Sequence, residues 1–529
     1  MSWRVGLSLA ALSLATSLMI SRYQPFPGYL DSDYYFGGGI QLAAGRGFTE
    51  PYLWNYLDDP LGLPHPSHSY WMPLASLISA AGMWLLGNPT YAAGRLGFLA
   101  LAALVPVATA SLAYALSRRR DLCVVSGLLA VFSIYYAPFL AVPDNYGAYI
   151  VLGASFFLVL GSKREWRFLI LGLVAGLMAL ARSDGVLWLA LAWLAALHAP
   201  PPTLTNEDPD STISTSAPGR MRLLAKIGSR IALSAVGFLI IMGPWYARNL
   251  SVHGAVMAPG GERLLWLTSY DETFAYPAEK LTYERWLSQG LPSIISARLL
   301  ALRWNLLNAL AAQGGILLFP FILMGAWQHR KDPRVQIGIA GWLTLFFTMT
   351  MVFPFAGRRG GFFHAGAGMQ ALWWSLAPVG LESVVAAARR RGLFTAQAFT
   401  IFRVGLVGLA MLLTLMIVQI RVLAGWGEGE QSYPAVEEFL VAQGARKSDV
   451  VMVRNPPGYY IMTGRPAIVV PYEDATGMLQ AARRYGAGYL VLEKAGAGGP
   501  IRSIYDDLVN SDFPYLGEVN GTRIFRLSP

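Results

Sequence analysis

Charge is scarce in this sequence, and cysteine and histidine are scarcer. Only 14% of the 529 residues are charged, 54% are hydrophobic, and the mean hydropathy is +0.43. So little charge cannot cover the surface of a water-soluble enzyme of this length, and that class is excluded. The one cysteine, Cys123, lies inside an apolar run, which excludes an intrachain disulfide and a cysteine-built metal cluster. Gly37-Gly38-Gly39 is not followed by the Lys-Ser/Thr of a phosphate-binding loop, so it reads as close packing or flexibility. No internal repeat is present, which argues against a transporter built from duplicated halves.

What the chain does have is apolar runs of about 15 to 22 residues, recurring between short arginine-rich clusters. That is the pattern of a polytopic α-helical membrane protein. The formal net charge of +10 comes from Lys and Arg beside apolar segments, so it reports orientation and membrane-lipid contact; no nucleic-acid partner is expected.

Positive-inside bookkeeping sets the topology. No Ala-x-Ala-like cleavage site precedes Arg22, so residues 1–20 read as a retained anchor with the N-terminus inside. If 70–86 and 95–116 both crossed, Arg118-Arg119-Arg120 would lie outside; residues 70–86 are therefore expected on the outer face, and the first outer loop covers 21–94 with surface helices. Residues 122–140 and 146–160 are expected to cross around a short outer loop holding Asp144. Residues 168–181 and 186–197 read as a hairpin about Arg182-Ser183-Asp184-Gly185. Residues 199–230 read as a disordered cytoplasmic linker. Further crossings are expected at 231–246, 304–327, 337–353, 369–387 and 399–420, with a second outer loop at 250–303. The sum is about eleven transmembrane helices, N-terminus in and C-terminus out. Residues 1–421 form the membrane unit. Residues 422–529 show short buried-strand and helix patterns, with Asn520-Gly521 in a closing hairpin, and read as a small extracytoplasmic α/β domain.

Against this background, the first outer loop is unusual. Between residues 30 and 71 it gathers Asp31, Asp33, Tyr34, Tyr35, Glu50, Asp58, Asp59, His65, His68 and Trp71. Arg358 and Arg359 fall on the same expected side, against the charge rule, which makes them candidates for anion binding. Each has a plain alternative. Asp31 and Asp33 suit a helix N-terminus, Asp144 after Pro143 suits a turn, and the aromatic residues suit an interfacial belt.

Asp31-Ser32-Asp33-Tyr34-Tyr35 after the first span, His65-Pro66, Gly94-Arg95-Leu96, an isolated Asp144 and Pro244-Trp245-Tyr246-Ala247-Arg248-Asn249 occur in that order. Together they resemble the GT-C superfamily of integral-membrane glycosyltransferases, above all the bacterial relatives of protein O-mannosyltransferases and lipid A aminoarabinose transferases. The Trp-Trp-Asp-Tyr-Gly-type element of oligosaccharyltransferases is missing. The resemblance implies an enzyme of the cytoplasmic membrane that moves a sugar, with inversion, from a polyprenyl-phosphate donor to a hydroxyl acceptor on the outer face. Such transfer needs a carboxylate for the acceptor and cations for the leaving phosphate. Asp31, Asp33 and Asp144 are then the catalytic candidates, and Asp31 with Asp33 offers oxygen ligands to a divalent cation, Mg2+ or Mn2+. His65, Arg248, Arg358, Arg359 and His364 are candidates for the donor phosphate. Tyr34, Tyr35, Glu50, His68 and Trp71 would line the substrate. The competing class is a polytopic transporter or lipid flippase, which predicts charges buried mid-span; apart from Arg182 and Asp184 there are hardly any. A non-catalytic scaffold would leave the carboxylates of the first loop unexplained.

Overall fold

In the computed structural model, residues 2–198, 217–496, 498–509 and 511–527 are described. Among them, six helices are long and apolar enough to cross a membrane, and four shorter apolar helices accompany them. Large apolar side chains such as Trp3, Leu239, Leu343, Val404 and Met416 stand exposed on these helices, as lipid-facing side chains do.

The first span, α1 (Trp3–Ser21), is followed by α2 (Leu30–Ala43). The next helix, α3 (Leu74–Leu86), has 13 residues, too short to cross the roughly 30 Å hydrocarbon layer alone. It packs along α2, and glycine makes the approach. A Cβ on Gly38 would come within 2.6 Å of the Ser76 hydroxyl, and one on Gly39 within 2.8 Å of Ser79. Of the two readings of the glycine triplet, close packing is the one realised.

Three expected segments differ. The stretch 122–140 is not one helix: Arg120–Val131 ends, and the chain passes into a 3-10 turn at Ile134–Phe139. Ile134 sits at φ +51° and Pro138 interrupts the backbone ladder, so the chain bends and brings Asp144 inward. The stretch 304–327 is likewise divided. Leu291–Asn308 is helical, so part of the expected outer loop 250–303 is a helix, though not one of the six candidate spans, and a wide turn through Gly315 and Ile316, both at positive φ, precedes Phe319–Gln328. Of the expected linker 199–230, residues 199–216 lie outside the described residues. The remainder begins the helix Ala217–His253, which runs through Pro244 to include Arg248 and Asn249.

Beyond the last span, Ala398–Val418, the chain forms a sheet of six strands. Four carry its centre and far edge in the order β5 (Ala467–Val469), β4 (Val450–Val453), β6 (Ala487–Glu493), β8 (Thr522–Arg526), and β7 (Tyr515–Val519) closes that edge. The expected hairpin joins β7 to β8 through Asn520 and Gly521, both at positive φ. The near edge is β2 (Tyr52–Leu53), which comes from the first outer loop and runs parallel to β5 with Tyr52 opposite Ala467. The sheet is therefore completed from outside residues 422–529. Tyr485 donates to the Pro60 carbonyl at 3.1 Å, and Lys280 pairs with Glu473, so both outer loops are fixed to this unit.

Candidate active site

Sequence dictates the starting point. Asp31 and Asp33 occupy the first turn of α2, where unpaired backbone N–H groups favour a carboxylate. Two residues apart on a helix means roughly 200° apart around its axis, so the two side chains leave in different directions.

Asp31 faces the bundle. There it meets Asp144, delivered by the turn after Pro143, and His364, from the start of the helix Phe362–Arg390. The three offer ligand atoms within 4.8 Å of one another. His364 Nε2 is 3.5 Å from Asp31 Oδ2, and Nδ1 is 3.8 Å from Asp144 Oδ1. Tyr29 donates to Asp144 at 2.6 Å, the Asn145 N–H donates to its other oxygen at 2.5 Å, and Tyr146 lies 2.7 Å from His364 and stacks on it. The Asp144 side chain is wholly buried; Asp31 keeps 29% of its exposure. Burial, then the neighbouring Asp144, raises the Asp31 carboxyl to about 7, and burial raises Asp144 to about 6.

Facing this group is Arg182, at the tip of the hairpin between Arg167–Ala181 and Leu187–His198. Its charge acts on both carboxyls, lowering each, while Asp184 holds the guanidinium through its Nη2 at 2.6 Å. Arg182 is absent from the phosphate candidates read from the sequence. The signal was there, as a charge pair interrupting an apolar run. What it meant depended on which way the hairpin tip points.

Asp33 faces the other way. Its side chain is fully buried, and Asn455 donates to it at 2.8 Å and to Glu430 at 3.1 Å. Asp33 thus lies outside the group of Asp31, Asp144 and His364. The oxygen-ligand pairing of Asp31 with Asp33 is replaced by one that recruits a second loop and a distant helix. Burial, then Glu430, pushes the Asp33 carboxyl well up, and burial lifts Glu430 to about 7.

The remaining candidates divide in the same way. His65 stands opposite Glu50 in the two-stranded ribbon of β1 (Thr49–Glu50) and β3 (His65–Pro66), 3.2 Å away and buried with it. His68 is held between the hydroxyls of Ser67 at 2.7 Å and Ser76 at 2.9 Å, and burial, then Arg248, lowers it to about 3, so the ring is neutral. Arg248 lies over the Trp245 ring and donates to the Ser67 carbonyl at 2.8 Å. Arg359 lies over the ring of Tyr270, whose hydroxyl feels Asp31, and Arg358 lies over the ring of Phe355. Tyr34, Tyr35, Trp54 and Trp71 are not a belt at an interface; they form an internal cluster, with Trp71 stacked on Trp54 at 4.0 Å. Tyr35 accepts from Asn145 at 2.7 Å, which ties that cluster to the residue beside Asp144.

The donor set fits a divalent cation. Two carboxylates and an imidazole are hard to intermediate ligands, and two carboxyls lifted by burial, Asp31 also by the charge of Asp144, are what a cation would relieve.

The architecture is similar to the GT-C fold of solved integral-membrane glycosyltransferases. The chain aligns with the crystal structure of ArnT from Cupriavidus metallidurans bound to undecaprenyl phosphate, at TM-score 0.54 and 12% identity, covering 98% of this chain and 97% of that one. It also aligns with the oligosaccharyltransferase of Archaeoglobus fulgidus in the apo form, at TM-score 0.51 and 12% identity over 92% of this chain and 69% of that one. The same enzyme has been solved with zinc and sulfate, at TM-score 0.51 and 12% identity over 91% and 67% of the two chains. No family model and no curated protein matches the sequence.

Proposed function

We propose that this protein is an inverting glycosyltransferase that moves a sugar from a polyprenyl-phosphate donor to a hydroxyl acceptor, with its site on the extracytoplasmic face of the cytoplasmic membrane. The observation that carries the reading is the meeting of Asp31, Asp144 and His364 beside Arg182, from four separate elements. The shared fold with an enzyme solved with undecaprenyl phosphate supports a lipid-linked donor.

In this reading each residue has a task set by its surroundings. Asp31 is the partly exposed carboxyl, raised to about 7, and serves as the general base for the acceptor hydroxyl. Asp144 is buried and held by Tyr29 and the Asn145 N–H, so it keeps Asp31 and His364 in place. Arg182, whose charge acts on both carboxyls, and Arg359, over the Tyr270 ring, stabilise the departing phosphate. A divalent cation held by Asp31, Asp144 and His364 would supply positive charge to that phosphate.

The test is transfer from a panel of polyprenyl-phosphate sugars by the purified chain in lipid, with and without chelator. Sugar transfer that survives Asp31→Asn and Asp144→Asn unchanged would sink the assignment. A transporter would instead move labelled lipid between leaflets of proteoliposomes with no transfer product.

A further inference from the structure

A cleft of about 1020 Å3 opens at the end of the bundle opposite the carboxylate site. The helix Phe362–Arg390 measures the separation: His364 stands at one end, and Glu382, Arg390 and Arg391 line the cleft at the other. From His364 to Arg390 the helix rises roughly 39 Å, more than the hydrocarbon thickness of a bilayer. The cleft therefore has no part in the proposed transfer site.

Its floor is a balanced set of charges. Arg119 reaches Glu382 at 3.0 Å and also pairs with Asp121, while Arg403 reaches Asp121 at 2.9 Å and also pairs with Glu382. Two guanidinium groups thus meet two carboxylates. Arg390 and Arg391 are the surplus; both are exposed, and among the described residues neither has an ion-pair partner. The walls are apolar, with Leu116, Leu122, Val379 and Phe399 among them.

Charge, size and position together select an occupant. A surplus of two positive charges over a neutral floor calls for an anion. A volume at or above the usual range of about 300–1,000 Å3 for small-molecule sites is far more than a free phosphate fills. Apolar walls along the helices suit acyl chains, and basic pockets between spans at the membrane surface suit phosphate head groups. We propose that this cleft binds an anionic phospholipid, with Arg390 and Arg391 on its phosphate and the apolar walls along its chains.

Native mass spectrometry of the full chain in detergent can test this with phosphatidylglycerol and phosphatidylcholine of identical acyl chains. Phosphatidylglycerol should be retained at least tenfold better, and Arg390→Gln with Arg391→Gln should weaken it about fivefold per arginine while weakening net-neutral phosphatidylcholine much less. Arg390→Lys with Arg391→Lys should retain the preference, and Ser383→Trp, which narrows the cleft, should weaken both lipids. Equal retention of the two lipids by the parent, or unchanged phosphatidylglycerol binding in the double Gln variant, would overturn the proposal. Release of phosphatidylglycerol by millimolar inorganic phosphate would also overturn it, by showing a site for a free anion.

Discussion

Asp31 and Asp33 differ by two positions and belong to different regions of the molecule. Asp31 looks into the membrane bundle, where Asp144, His364 and Arg182 surround it and part of its surface stays open. Asp33 looks toward the soluble unit, where Asn455 and Glu430 enclose it. On the proposed function, one turn of helix serves chemistry on one side and assembly on the other. The difference teaches that burial alone does not mark a catalytic carboxylate. Both are deeply set and both are raised, but only Asp31 is raised beside groups that a substrate could reach.

The sharpest way to break this contrast is Asp31→Asn, which should lower transfer by about 10^2 to 10^4, the usual span for loss of a general base. Asp33→Asn should cost far less activity, and single-turnover rates on the two variants side by side decide it. Equal losses would erase the division.

Next in size is the effect of Asp144. As the base, Asp31 works only when deprotonated, so kcat/KM should rise with pH through about 7 and then level. Asp144 raises that carboxyl by charge, so Asp144→Asn should move the inflection to lower pH. An unmoved inflection would show that the two carboxyls do not share a field.

On the assembly side the observable is stability. A carboxyl whose pKa is raised on folding favours the fold while protonated, and that contribution is lost as pH rises from the ordinary carboxylate range through the folded value. For Glu430 that window runs from about 4.5 to about 7. Glu430→Gln should therefore raise stability at pH 8 relative to the parent, on the order of 2 kcal/mol, and much less at pH 4. Thermal unfolding at the two pH values measures it, and a gain independent of pH would contradict the assigned role. The smallest effect is expected from Tyr485→Phe, which removes one hydrogen bond between the soluble unit and the first outer loop, about 1 kcal/mol. A Tm shift without loss of transfer would keep this contact on the assembly side.

Segment by segment, legibility followed the range of the interactions. The hairpin about Arg182 and Asp184 and the strands of the soluble unit were readable from local hydropathy and period. Residues 122–140 and 304–327 were not. Their apolar composition is continuous, and the bends at Ile134 and Ile316 are set by packing that no window of sequence contains. His65 shows the same limit at the site: its neighbour Pro66 suggested a phosphate element, whereas ribbon register placed it on Glu50.

By itself, the sequence determined the solvent, because 54% apolar residues with 14% charge have only a bilayer in which to fold. It also determined that carboxylates gather after the first span. Only the tertiary structure decided which of them meet. Asp31, Asp144, Arg182 and His364 are separated by up to 333 positions in the chain, and their convergence depends on helix rotation, on the bend before Asp144 and on a hairpin tip. These are set by packing between distant elements, where the order of residues along the chain no longer measures distance.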